Sequence, residues 1–243
     1  MKASKVPEII LVNTQIPENL GFVARAMLNC GLKKLRLVSP KFKLNNRKIL
    51  PLAAGADEII KKIKVFNCYS KAIEDFNFLI ACTARKRNLK KPQLDPERAA
   101  TETFENIKSN NKVGIIFGPE NSGLTNKNLS LVNKILTIET NPKFSSINLS
   151  HAVMVVCYEL KKFNKSSRFF ETKKSLATKK KLIFFYNHLE KLLDKSGFIK
   201  TSERKEMILL KIRNIFTKSD LEDNEIDILL GIFTSLFKTK KNK

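Results

Sequence analysis

Three polar segments of this 243-residue chain carry residue types that could do chemistry. The first, Asn19-Leu-Gly-Phe-Val-Ala-Arg25, places an amide, a glycine and a guanidinium within two helical turns. The second, Gly118-Pro-Glu-Asn-Ser-Gly-Leu124, surrounds one acid, Glu120, with two glycines and a proline. Those residues fix a tight path with exposed backbone N–H groups, suited to cradling a small ligand. The third, Asn141-Pro-Lys-Phe-Ser-Ser-Ile-Asn-Leu-Ser150, leads into the apolar run Ala152-Val-Met-Val-Val-Cys-Tyr158. A helix that apolar should be buried, and Ser145, Ser146, Asn148 and Ser150 beside it need polar partners, which a ligand can supply. Each segment also has a plainer reading. Asn19 and either Ser146 or Asn148 suit helix N-caps, Glu120 suits a first helical turn, and Arg25 suits a solvated helix face. Other chemistries lack their signatures. No GxGxxG follows the first strand and no Walker A motif is present. The four cysteines (Cys30, Cys68, Cys82, Cys157) form no CxxC pair and read as reduced, mostly buried residues. His151 and His188 lack Cys or acidic neighbours at zinc-ligand spacing.

The elements that must position these segments alternate. Apolar runs predict strands at Glu8–Asn13, Lys34–Val38, Phe78–Cys82, Val113–Phe117 and Ile135–Ile138. Helical patterns lie between and after them, at Asn19–Cys30, Leu52–Lys61, Lys71–Asp75, Pro96–Lys108, Thr125–Val132 and Asn148–Lys162. Apolar strands separated by helices predict a parallel α/β sheet with helices on both faces. Gly31 suits the position after a helix C-cap, and Thr125 and Asn19 suit N-caps. In such a sheet ligands bind beyond the carboxyl ends of the strands, and all three polar segments are expected to follow strands there, Asn19–Arg25 after the first.

From Lys161 to Lys181 the chain holds nine Lys/Arg and a single acid, a linker composition. Three helical patterns without strands follow, at Lys179–Lys195, Ser202–Phe216 and Asp223–Phe237, with Leu182, Phe185, Leu189 and Leu192–Leu193 at helical spacing. The predicted division is a catalytic domain over 1–163, a basic linker over 164–178 and a small all-α module over 179–243. Lys and Arg number 46 against 23 Asp and Glu, a net charge of +23. That balance suits a nucleic-acid partner, although a Lys- and Asn-rich composition can also arise from drift. No signal peptide or membrane-spanning stretch is legible, so the expected location is the cytoplasm.

Taken together, the three segments resemble the motifs NxGxxxR, GPExxGL and SLNLSxA of the SpoU/TrmH branch of the SPOUT RNA methyltransferases. Here they stand as Asn19–Arg25, Gly118–Leu124 and Ser146–Ala152, with Ile147 in place of the usual Leu and Glu139 where Pro is common. The C-terminal residues His188-Leu-Glu190, Gly197-Phe198, Lys211-Ile-Arg213 with Phe216, Asn224-Glu225 and Leu230-Gly231 extend the resemblance to the TrmJ-type subgroup.

The resemblance implies a C-terminal trefoil knot, which general rules of chain topology would not suggest. It implies S-adenosyl-L-methionine as cofactor, tRNA as substrate and a homodimer with the site at the interface. The methyl acceptor would be the ribose 2′-hydroxyl of the pyrimidine at position 32 in the anticodon loop. Alternatives are another tRNA or rRNA target, or a non-catalytic RNA-binding protein on this fold. By the same resemblance Cys82, Thr83, Ala84, Gly118, Ile138, Ser145, Ser146, Ile147 and Leu149 would bind the cofactor. Arg25 would act on the acceptor hydroxyl, with Asn19, Glu120 and Asn148 orienting it. Two roles stand open for Arg25: taking the proton, as the family account has it, or favouring the developing alkoxide as a fixed cation. The basic loop with Arg85, Arg87, Lys90 and Lys91, the Lys-rich linker and the C-terminal helices would grip RNA. No metal is implied.

Overall fold

A computed structural model of the chain describes residues 6–85, 91–165, 174–199 and 202–241. Its strands are β1 (Glu8–Val12), β2 (Leu35–Val38), β3 (Lys64–Phe66), β4 (Phe78–Cys82), β5 (Gln93–Leu94), β6 (Val113–Phe117) and β7 (Lys134–Leu136). They form one sheet in the order β3-β2-β1-β6-β4-β7-β5, with every pairing parallel. The helices of the first part are α1 (Pro17–Asn29), α2 (Ile49–Ala53), α3 (Asp57–Lys61), α4 (Tyr69–Ile73), α5 (Pro96–Lys108), α6 (Asn126–Ser130) and α7 (Leu149–Lys165). Three more follow: α8 (Lys179–Ser196), α9 (Ser202–Lys218) and α10 (Asp223–Lys241). Among the described residues no helix is long and apolar enough to cross a membrane.

Strand side chains alternate between two apolar clusters, as the two-residue period of a strand requires. Ile9 and Leu11 of β1, Ile115 and Phe117 of β6, and Phe78 and Ile80 of β4 face one side, where α1, α2, α3, α5 and α7 cover them. Ile10, Val12, Ile116, Leu79 and Ala81 face the other. There Leu182, Phe185, Tyr186 and Leu189 of α8, with Ile226 of α10, close the core. The C-terminal helices therefore supply the second covering layer of the sheet. Phe185 meets Phe216 edge-on at 4.9 Å and tilts against Phe233 at 6.2 Å, which ties α9 and α10 to the same layer. Of the expected linker, α7 takes residues 164–165, and residues 166–173 lie outside the described ones. Leu176 and Ala177 are buried, and Leu176 bridges Glu222.

β4, β6 and α5 stand where the sequence places them, and the other strands differ at their ends. β3 and β5 were not expected. They have three and two residues, too few for a pattern, and exist by pairing with β2 and β7. The helix expected over Leu52–Lys61 divides into α2 and α3, because Ala54 and Gly55 take φ of 42° and 88°. The one expected over Lys71–Asp75 begins and ends two residues earlier as α4. Thr125 does cap α6, in a reciprocal capping box with Asn128, and Gly31 follows the C-cap of α1 with φ of 79°. Asn19 caps nothing. It is the third residue of α1, whose N-cap is Ile16 with no side-chain cap of its own.

Candidate active site

β6, β4 and β7 are neighbours, so the loops leaving their carboxyl ends converge. Between them lies a cavity of about 350 Å³. Cys82, Thr83, Ala84 and Arg85 come from the loop after β4, and Phe117, Gly118, Pro119, Glu120, Asn121 and Gly123 from the loop after β6. Ile138, Ser145, Ser146, Ile147, Leu149 and Ala152 come from the segment joining β7 to α7. All nine residues expected around a cofactor line this one space; Arg85 and Glu120, expected in other roles, join them, as do Phe117, Pro119, Asn121, Gly123 and Ala152. Thr83 N–H donates to the Leu136 carbonyl at 3.0 Å, and Thr137 Oγ1 donates back to the Thr83 carbonyl at 3.4 Å. Those bonds hold the floor of the cavity together.

The Gly118 loop is tight for its own reasons. Gly123 has φ of 64°, which suits glycine, and its N–H donates to the Pro119 carbonyl at 2.9 Å. A Cβ on Gly118 would collide with the backbone of Gly123 and Leu124. The close approach that requires glycine at position 118 is therefore within the loop itself. Gly118→Val is expected to weaken S-adenosylhomocysteine binding at least tenfold and also to lower the melting temperature by a few degrees. Calorimetry with thermal melting checks both, and unchanged affinity would refute the loop's role.

Glu120 reaches across the chain to the start of α1. Its Oε2 accepts from Gln15 N–H at 3.0 Å, and its Oε1 accepts from Asn19 Nδ2 at 2.9 Å and from Ile16 N–H at 3.4 Å. A carboxylate at a helix N-terminus meets both the free N–H groups and the helix dipole, so Glu120 replaces the missing cap. Asn19, 2% exposed, passes the constraint on: its Oδ1 accepts from Asn148 Nδ2 at 3.0 Å. Asn148 Oδ1 accepts from Ser150 N–H at 2.8 Å and Ser150 Oγ at 2.7 Å, the contacts of a residue capping α7. Three of the four residues expected to act together thus form one chain of hydrogen bonds. Neither amide is a base at neutral pH, so the chain fixes geometry and moves no proton.

The fourth, Arg25, does not reach the cavity. It is exposed, with no partner among the described residues, and lines a separate groove of about 400 Å³ with Phe22, Asn148, Ser150, His151 and Met154. The first turn of α7 separates the two spaces: Leu149 and Ala152 face the cavity, Asn148 and His151 the groove. α7 is also less buried than its composition suggests. Val153, Val156, Cys157 and Leu160 enter the core, while Met154, Val155 and Tyr158 stay exposed, Tyr158 at 56%. Phe22 on α1 continues that apolar face beside Arg25. Gly21 lets α1 seat against α2, where a Cβ would strike the Ile49 carbonyl.

Among the cysteines only Cys157 is buried, which corrects the expectation that most would be; Cys68 is exposed, and Cys30 and Cys82 are intermediate. Burial pushes the Cys82 thiol up to about 12, so it lines the cavity as a neutral group. Of the expected RNA-binding residues, Arg85 lines the cavity, while Arg87 and Lys90 lie outside the described residues. Lys91 is 7% exposed and cannot present its charge to a nucleic acid. Among the described residues no group of His, Cys, Asp and Glu could hold a metal.

A parallel sheet with glycine- and serine-rich loops around a strand-end cavity defines a nucleotide-type binding fold, and its family is shown by comparison. Residues 7–158 match the SpoU rRNA methylase family, and residues 180–243 match the C-terminal domain of the tRNA methyltransferase TrmJ. The chain belongs to the SpoU methylase family. More particularly, it is 34% identical over 242 residues to the tRNA (cytidine/uridine-2′-O-)-methyltransferase TrmJ of Salmonella typhimurium, covering 97% of this chain and 98% of that one. The TrmJ of Pseudomonas aeruginosa, named for cytidine, uridine and adenosine, is 32% identical over 244 residues, covering 96% of this chain and 94% of that one. The crystal structure of TrmJ from Z. mobilis ZM4 superposes with a TM-score of 0.86 at 38% identity, covering 95% of this chain and 99% of that one.

Proposed function

We propose that this chain methylates the ribose 2′-hydroxyl of the pyrimidine at position 32 of tRNA, using S-adenosyl-L-methionine and working as a cytoplasmic homodimer. The observation that carries the reading is the cavity. Its volume suits a small nucleoside, Phe117, Ile138, Ile147 and Leu149 offer apolar wall for a base, and Thr83, Ser145, Ser146 and Arg85 offer polar groups for a charged tail. Cys82, Thr83, Ala84, Gly118, Ile138, Ser145, Ser146, Ile147 and Leu149 would hold the cofactor. When bound it would supply a methyl group already activated on a sulfonium, so neither a metal nor an enzyme nucleophile is required.

What remains for the protein is to place the hydroxyl and stabilise it as it loses its proton. Arg25 serves as a fixed cation beside the developing alkoxide, because a guanidinium stays protonated in proteins. Glu120, Asn19 and Asn148 are positioning residues: their hydrogen bonds lock the start of α1, which carries Arg25, to the start of α7, which borders the cavity. Arg25 lies on an exposed apolar face with Phe22, Met154, Val155 and Tyr158. That face suits a second copy of the chain, and Arg25 would then serve the partner's cavity. The trefoil knot belongs to this reading, as does a tRNA-gripping role for Arg87, Lys90 and the Lys-rich C-terminal helices.

The test is mass-spectrometric mapping of 2′-O-methyl nucleotides in unmodified tRNA treated with the purified protein. Methylation of C32 or U32 is expected. A methyl group only at another nucleotide would overturn the assigned position, and none in any tRNA or rRNA would overturn the activity.

A further inference from the structure

The cavity has two charged groups among its described lining residues, Arg85 and Glu120. Glu120 is spent on the start of α1, so it offers the cavity no free carboxylate oxygen. Arg85 is differently placed. Its main-chain N–H donates to Thr83 Oγ1 at 3.2 Å, and its guanidinium Nη2 donates to the Asn121 carbonyl. Its aliphatic stem passes the Gly123 position, where an added Cβ would sit 3.8 Å from Cδ. The side chain therefore runs from the loop after β4 to the loop after β6, across one edge of the cavity. A guanidinium carries five N–H donors in a planar fork, and the Asn121 carbonyl engages one of its nitrogens.

We propose that Arg85 binds the α-carboxylate of the cofactor's amino-acid tail, making it a cofactor-positioning residue; the inference rests on the methyl-transfer reading above. The argument is one of charge matching. Of the groups on S-adenosylmethionine, only the α-carboxylate is an anion, and Arg85 is the only cation in the cavity lining among the described residues. The carboxylate–guanidinium pair is the strong, two-point kind of charged hydrogen bond. The tie to Asn121 fixes the fork before the ligand arrives, which reduces the entropy lost on binding. The same placement gives selectivity: nucleosides that carry an amino-acid tail are favoured over those that end at the thioether.

Two ligands isolate this contact. S-adenosylhomocysteine carries the carboxylate, and 5′-methylthioadenosine shares the adenosine and thioether but lacks it. Calorimetric affinities would be compared for the wild type, Arg85→Ala and Arg85→Lys, with tRNA binding measured by filter assay. Arg85→Ala is expected to weaken S-adenosylhomocysteine about tenfold and to change 5′-methylthioadenosine less than about twofold, with Arg85→Lys recovering part of the loss. An equal loss for both nucleosides would make Arg85 a loop tie only and overturn the proposal. A loss confined to tRNA affinity would return Arg85 to the RNA surface and overturn it too. A wild-type protein that binds neither nucleoside would overturn the methyl-transfer reading itself, a result distinct from loss of selectivity in the variant.

Discussion

Arg25→Ala is expected to slow single-turnover methylation of tRNA by about 10²–10³-fold and to leave S-adenosylhomocysteine affinity within about twofold. The first figure is the usual cost of removing one preorganised donor from a developing oxyanion. The second follows from position: Arg25 lines the groove with Phe22, Asn148 and His151, and the first turn of α7 stands between it and the cavity. The same geometry makes a sharper expectation. If Arg25 works across a dimer interface, the Arg25→Ala protein mixed and co-refolded with Gly118→Val should recover activity. In such a heterodimer the sound cavity of one protomer faces the intact arginine of the other. If Arg25 serves its own cavity, no protomer in the mixture has a complete site, and the mixture stays as inactive as its parts. Near-wild-type turnover by Arg25→Ala alone would remove the residue from the mechanism.

The parts of the fold legible in the sequence are those whose cause is local. β1, β4 and β6 are buried on both faces, so β4, β6 and β1 beyond Glu8 each read as an unbroken apolar run. The cavity was legible because its walls are strand-end loops with marked residue types. Asn19 was misplaced because a capping preference is a local signal, whereas the group that caps α1, Glu120, is about a hundred residues away. Glu8 and Arg36 sit in otherwise apolar strands. Their burial depends on Asp75, which Arg36 grips through two bonds of 2.8 Å, and on Lys112 at 3.0 Å from Glu8. Nothing in the spacing announces those partners. The apolar run of α7 could not reveal that Tyr158 and Met154 point outward, since periodicity does not distinguish a face packed in its own core from one left for another surface.

The buried lysines at the junction of the sheet and the C-terminal helices give the second large expectation: Lys91→Met should stabilise the protein at pH 7, by about 2 kcal/mol or several degrees of melting temperature. Lys91 is 7% exposed, and its Nζ has no hydrogen-bond partner among the described residues. Beside it Lys179, 1% exposed, donates to Asn133 Oδ1 at 2.7 Å, and Asn133 Nδ2 in turn donates to Asp220 at 2.6 Å. Burial pushes Lys91 down to about 7, Lys179 adds repulsion, and Asp220 offsets part of it. Burial likewise pushes Lys179 down to about 7, with Asp220 opposing. The unfolded chain holds protons on both lysines up to about pH 10.5, so between pH 7 and that limit it binds more protons than the folded chain does. Wild-type stability from this source is therefore full above about pH 10.5 and lost as pH falls through 7. Methionine fills the space of the lysine stem without a charge to desolvate, so its advantage should be greatest at pH 7 or below and shrink by pH 10. Melting curves at pH 7, 8.5 and 10 measure this directly. A lower melting temperature for Lys91→Met at pH 7, or a gain of equal size at all three values, would show that Lys91 is not a buried, unsatisfied cation.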